Sequence, residues 1–330
     1  MSLLVGPELQ RVLDRLRWSS RQWARSMAHG EQRSRARGHS VEFADYRPYV
    51  AGDDFRHIDW NLYGRLDRLF LRLFEEEREL WVHVWLDASA SMRWGAPEKF
   101  RVACQIVGAL GYVALGSGAC LTVHVYPGPG DRVGQQRAAG APTGAAAAET
   151  GQQFQAEQGC EVARQWACEL GLRRLRGRGR ALRFFRCLEG LVPGGHIELE
   201  PWFRAQAAPI RPPAVAVVVS DFLDAKAPTG GLATLVARGL EVHAVQVLSP
   251  QEWVPDTYGE LRVEDVETGL WQEVTFGRYR LKAYQRTVQR YVDQLREYCR
   301  RHGTGFVSVR SDADLAKLLA REFRTLGLWS

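Results

Sequence analysis

The chain has 330 residues, 45% apolar and 25% charged, a composition ordinary for a soluble globular protein of one large or two ordinary domains. Its net charge of +6 rests on 40 Arg and only four Lys (Lys99, Lys226, Lys282 and Lys317), a basic balance that permits nucleic acid or an acidic partner and demands neither. The six cysteines are scattered with no CxxC pair, so no zinc site or dithiol motif is visible and a reducing, cytoplasmic setting is expected. Glu8, Arg11, Asp14 and Arg15 leave no apolar core for a signal peptide.

Residues 7–28 place Leu9, Val12, Leu13, Leu16, Trp23 and Met27 at helical spacing, which predicts an amphipathic N-terminal helix within residues 1–28. It packs on the main domain, or alternatively meets a membrane surface or a partner. Residues 29–80 read as an arm. Within it Asp53, Asp54 and Asp59 alternate with Arg47 and Arg56 among aromatic residues, a mixture that predicts a folded segment held by carboxylate–guanidinium pairs. Residues 65–74 alternate charged and apolar side chains, as in an edge strand.

The main domain is expected over residues 81–330. Its first element, Trp81 to Leu86, is an almost continuous apolar run and reads as a strand buried on both faces. The run stops at Asp87, and Ser89 and Ser91 follow. A carboxylate and two hydroxyls in one turn past a strand are hard oxygen ligands of the kind Mg²⁺ or Mn²⁺ prefers. The alternative is a turn that caps the next helix. Val102 to Val123 carries no charge, yet its glycines and polar residues fit a buried helix, a turn and a strand (121–126) better than a membrane span.

Residues 127–159 lose apolar periodicity and read as a low-complexity insertion, and 160–172 as a short helix. Seven Arg fall between 173 and 186. Arg173, Arg174, Arg176, Arg178 and Arg180 offer a contact for a polyanion, or form a solvated loop running into a helix at 180–190. Pro213 to Asp221 is a second apolar strand ending in a carboxylate, after a helix at 198–206. A helix at 229–238, a strand at 241–247, a hairpin turning at Glu267-Thr268-Gly269, a helix at 280–301, a strand at 305–309 and a last helix capped by Ser311 follow. Strands alternating with helices predict a mainly parallel sheet covered by helices.

Arg47-Pro48-Tyr49, the run Gly52-Asp53-Asp54-x-Arg56-x-Ile58-Asp59-Trp60, Glu75-Glu76-Glu77 and Leu86-Asp87-x-Ser89-x-Ser91-Met92 together resemble the domain-of-unknown-function 58 family. The resemblance extends over residues 36–126 and about 176–325. It implies an α/β, von Willebrand factor A-like (Rossmann-like) doubly wound fold with an N-terminal helix and an extended arm. It also implies a metal-ion-dependent adhesion-type site for Mg²⁺ or Mn²⁺, with Asp87, Ser89, Ser91 and a distal Asp221 as ligands. The family's third-motif Thr falls at His196, after Gly194-Gly195, so an imidazole replaces a hydroxyl. The alternative is a metal-free relic in which Ser89, Ser91 and Asp221 bond one another and Asp87. The signature residues are Gly52, Asp53, Asp54, Arg56, Asp59 and Trp60. The function implied is a non-enzymatic adaptor working with a MoxR-type AAA+ ATPase on a client protein. Nucleic-acid or polyanion binding through the arginines and, behind it, a metal-dependent phosphoesterase are the alternatives. No nucleophilic triad, Walker A loop or dinucleotide fingerprint is present.

Overall fold

The computed structural model describes residues 4–19, 41–50, 53–76, 79–127, 172–195, 199–223, 229–255, 259–264 and 271–329. In chain order the elements begin with α1 (Pro7–Leu13), β1 (Val41–Pro48), α2 (Trp60–Leu66), β2 (Phe70–Glu76), β3 (Trp81–Asp87), α3 (Lys99–Gly116) and β4 (Cys120–Tyr126). They continue with α4 (Ala181–Glu189), α5 (Leu199–Ala207), β5 (Ala214–Ser220), α6 (Gly230–Ala237), β6 (Glu241–Leu248) and α7 (Pro250–Trp253). The last are β7 (Gly259–Glu264), β8 (Trp271–Phe276), α8 (Arg278–Arg301), β9 (Gly305–Arg310) and α9 (Leu315–Thr325). Contacts divide the chain into two units, Ala24–Glu79 and the combination of Met1–Trp23 with Leu80–Ser330.

In the larger unit the five long apolar strands form one parallel sheet in the order β4-β3-β5-β6-β9. Side chains alternate across it, as the period of a strand requires. Val82, Val84 and Leu86 of β3 join one core with Val217 and Val219, Ile106 and Leu110 of α3, Phe184 of α4 and Phe323 of α9. Trp85 and Ala216 point the other way, into a second core with Phe203 of α5, Leu235 of α6 and Leu295 of α8. Helices thus cover both faces. This is an α/β fold with a central five-stranded parallel sheet of the doubly wound, Rossmann-like kind. The apolar stretch read over 102–123 is α3, its turn and β4. Among the described residues no helix is long and apolar enough to cross a membrane.

Three boundaries differ from the sequence reading. Residues 65–69, read as the start of an edge strand, close α2 and turn at Asp67, whose left-handed backbone ends the helix, so β2 begins only at Phe70. The N-terminal helix ends at Leu13 and residues 14–19 are not helical, while 20–28 of the predicted helix lie outside the described residues. Trp18 is drawn into a bridge with Trp329, their rings 6.0 Å apart, and the Trp18 main-chain N–H donates to Ser117 Oγ. Tertiary packing overrides the helical spacing there. The last helix is capped by Asp314, which accepts from Ala316 and Lys317 N–H, whereas Ser311 Oγ donates to the Pro97 carbonyl. In the smaller unit β1 pairs antiparallel with β2 across a bulge at Phe43/Asp45. Residues 128–159 of the insertion, the short helix placed at 160–171 and the 267–269 turn lie outside the described residues.

Candidate functional site

The chain runs from β3 outward to β4 and then returns to lay β5 on the other side of β3. That reversal makes the β3/β5 boundary the switch point of the sheet, and in open α/β sheets ligands bind outside the carboxyl ends of the strands at that point. Leu86 is level with Val219, so Asp87 ends β3 beside Ser220. Two strands ending in buried carboxylates therefore deliver Asp87 and Asp221 to one place.

Asp87 is held from two sides. Its Oδ1 accepts the Ser89 N–H at 2.9 Å and its Oδ2 the Ser220 hydroxyl at 2.6 Å. Burial, and next the charge of Asp221, push its carboxyl up to about 7, against the bonds from Ser220 and Ser89. Ser89 and Ser91 hydroxyls lie 2.9 Å apart in hydrogen-bond contact. The glycine pair packs on this loop: Gly194 N–H donates to the Ala88 carbonyl and Ala90 N–H to the Gly195 carbonyl. The third-motif position thus follows directly on a loop that touches the first motif. His196 itself lies outside the described residues.

Asp221 faces a different partner. Lys99, in the first turn of α3, is fully buried, and its ammonium donates to Asp221 Oδ2 at 2.7 Å and to Glu252 Oε1 at 2.5 Å. Burial pulls the lysine down, and the two carboxylates more than offset it, so its pKa stands above the ordinary value. Glu252 is positioned by a capping box at α7, its Oε2 accepting the Ser249 N–H while Ser249 Oγ accepts the Glu252 N–H. Asp221 Oδ1 accepts the Leu223 N–H, and its main-chain carbonyl accepts Gln246 Nε2.

The donor set is mixed against the divalent ion that the resemblance implies. Ser89, Ser91 and Asp87 offer hard oxygens side by side. Asp221 is already engaged by a buried ammonium, which would repel an incoming ion. Among the described residues no group of three or more His, Cys, Asp or Glu could hold a metal. The residues present do not fit a divalent ion as a set, and no step below runs through one.

Around this polar centre the edge is apolar and open. Trp94 (56% exposed), Leu223 (44%) and Val254 (58%) follow the carboxyl ends of β3, β5 and β6. Reciprocal bonds between Ala96 and the Gln251 amide tie the Trp94 loop to α7.

The other sequence candidates sit elsewhere. In the smaller unit Arg47 pairs with Asp53 at 2.7 Å and Arg56 with Asp54 at 2.7 Å. Asp59 caps α2 and also accepts the Tyr46 hydroxyl, and Trp60 is exposed. Gly52 lies outside the described residues. Arg173, Arg174, Arg176, Arg178 and Arg180 are exposed, but Arg178 leans over Tyr112 and within 3.6 Å of Asp14, and Arg174 lies over Trp81. Sequence reasoning missed Lys99, Glu252 and Ser220. Two signals were present: a lone lysine opening an apolar helix in an arginine-dominated chain, and the Ser249-x-x-Glu252 capping pattern.

Residues 45–134 match the family described as "Protein of unknown function DUF58", which bears out the family reading over that stretch. An uncharacterized protein of Mycobacterium tuberculosis is 25% identical over 310 residues, 93% of this chain and 86% of its own length. An uncharacterized protein of Mycobacterium bovis matches to the same extent, 25% over 310 residues. The crystal structure of conserved hypothetical protein BatB from Bacteroides thetaiotaomicron is 11% identical with a TM-score of 0.38, covering 75% of this chain and 98% of that one.

Proposed function

From the DUF58 match over residues 45–134, we propose that the chain is a non-enzymatic interaction module of the von Willebrand A type. Its docking face is the carboxyl edge of the sheet, and the partner is a MoxR-type AAA+ ATPase acting on a client protein. One observation carries the reading: a small polar centre at the switch point, the Ser89 and Ser91 hydroxyls, is bordered by exposed Trp94, Leu223 and Val254 on three successive strand-end loops. Aromatic and aliphatic anchors around a polar contact are how protein interfaces concentrate their energy. The residues do positional work. Gly194 and Ala90 main-chain bonds fix the loop that presents the hydroxyls, and the Lys99 cluster fixes the loops that present Leu223 and Val254.

The test is the affinity of the purified chain for the MoxR-type ATPase of its own host, with and without EDTA. Trp94→Ala should weaken binding at least about tenfold, the loss expected on truncating an aromatic anchor, with the melting temperature unchanged. Binding should persist in EDTA. Equal binding by Trp94→Ala and wild type would remove this face from the proposal, and loss in EDTA would replace the direct contact with a metal bridge.

A further inference from the structure

We infer that the outward face of α8 is a second contact surface and that it takes a short acidic segment of a partner protein. α8 carries eight Arg or Lys against two acids. Both acids stand in its second half and are already paired there, Asp293 with Arg296, and Glu297 with Arg300 and Arg301. Residues 278–292 hold five cations and no acid. Of these, Lys282, Arg286 and Arg290 are exposed and take part in no hydrogen bond or ion pair among the described residues. They recur at every fourth position and so line one face of the helix, with exposed Tyr279 a turn ahead of Lys282. Leu281, Val292, Leu295 and Cys299 are buried on the opposite side.

Like charges four residues apart on a helix repel, and no acid along these turns relieves them. An anionic ligand would. Its class follows from the dimensions of the row. From Lys282 to Arg290 the row is about 12 Å long, with about 6 Å between successive cations. Carboxylates at alternate positions of an extended chain stand about 6.6 Å apart, and those four apart on a helix about 6 Å. A few acidic residues therefore match the row. Acids close it on both sides in the chain: exposed Glu273 of β8 precedes it, and Asp293 and Glu297 follow it. A nucleic-acid strand or an anionic membrane spreads its charge beyond that length and would meet those acids. The same helix is tied to the carboxyl edge of the sheet, because the Tyr291 hydroxyl donates to the Phe222 carbonyl and α7 packs against α8. A protein seated on Leu223 and Val254 would reach the row with a flanking acidic stretch, which is the one step that rests on the docking proposal.

The experiment is fluorescence anisotropy of a labelled oligoglutamate peptide titrated with the full chain at low salt, and it needs no partner. Wild type should bind the peptide, and binding should fall as salt rises. Arg286→Glu/Arg290→Glu should weaken it at least about tenfold. Arg180→Glu/Arg183→Glu makes the same change of charge at exposed arginines elsewhere and should weaken it less than about threefold. Trp94→Ala should bind the peptide as wild type does, so failure of the docking proposal and failure of this one are distinguishable. Melting temperature shows whether each variant is folded, and where the Arg286→Glu/Arg290→Glu chain is not, Arg286→Gln/Arg290→Gln is judged by the same criteria. Three results would overturn the inference. They are no binding of the peptide by wild type, equal losses in the two arginine pairs, and a single-stranded oligonucleotide or anionic vesicle that binds more tightly than the peptide and is lost in Arg286→Glu/Arg290→Glu.

Discussion

Asp59 does two jobs with one carboxylate. Its Oδ1 accepts the Asn61 and Leu62 N–H groups at the start of α2, and its Oδ2 accepts the Tyr46 hydroxyl at 2.9 Å. Asp59→Ala should therefore cost about 1–2 kcal/mol in denaturant unfolding, through the lost cap and the lost bond from the Tyr46 hydroxyl. Its neighbour Trp60 is 61% exposed, and Trp60→Ala should stay within about 0.5 kcal/mol of wild type. Equal losses would show that the signature residues act by packing instead. Asp87, Ser89, Ser91 and Asp221 were readable at this scale because a carboxylate closing an apolar strand is a local pattern. Their partners were not. Lys99 meets Asp221 across 122 positions and Glu252 across 153, and no window of sequence spans such a distance.

Among the elements, α3 packs closely against α4. A Cβ at Gly111 would stand 2.4 Å from the buried Phe184 ring, whereas one at Gly108 would meet Phe185 at 3.5 Å, an ordinary contact. Gly111→Ala should lower stability by about 1–3 kcal/mol through overpacking. Gly108→Ala should leave it unchanged or raise it by up to about 1 kcal/mol, because alanine is the better helix former. Calorimetry of the pair checks this, and the reverse order would contradict the α3–α4 contact. The strands of the sheet were readable as apolar runs of strand length. The N-terminal helix was not bounded correctly, because burial of Trp18 against Trp329 competes with its spacing.

Across the whole molecule, a histidine pair on the sheet, His83 buried and His124 half-buried, ties stability to pH. His83 Nδ1 and His124 Nε2 lie 3.0 Å apart, and the His124 ring stacks on Trp85. Burial drives His83 down to about 4, and burial with the neighbouring His83 drives His124 down to about 3. Both sit below the ordinary histidine value of 6.5. Between those values the unfolded chain binds protons that the folded chain refuses, so this contribution is whole above about pH 6.5 and is lost as pH falls to about 4 for His83 and about 3 for His124. Asp87 runs the other way, since its folded carboxyl keeps a proton to about pH 7. His124→Phe retains a ring for Trp85 and should reduce the rise of stability from pH 4 to 6.5 by up to about 1.4 kcal/mol per pH unit. An unchanged slope in urea titrations would contradict the histidine-pair account. At this scale the parallel, doubly wound sheet was readable from strands alternating with helices. The strand order, which creates the switch point at β3/β5, is a matter of chain return that periodicity does not encode.

The central claim is that the carboxyl edge of the sheet is the docking face, and hydrogen exchange of the full chain with and without its MoxR-type ATPase tests it most directly. The account predicts new protection on residues 88–95, 193–195, 221–223 and 251–255. Protection confined to residues 172–186, with the strand-end loops unchanged, would contradict it and move the contact to the arginine-rich segment.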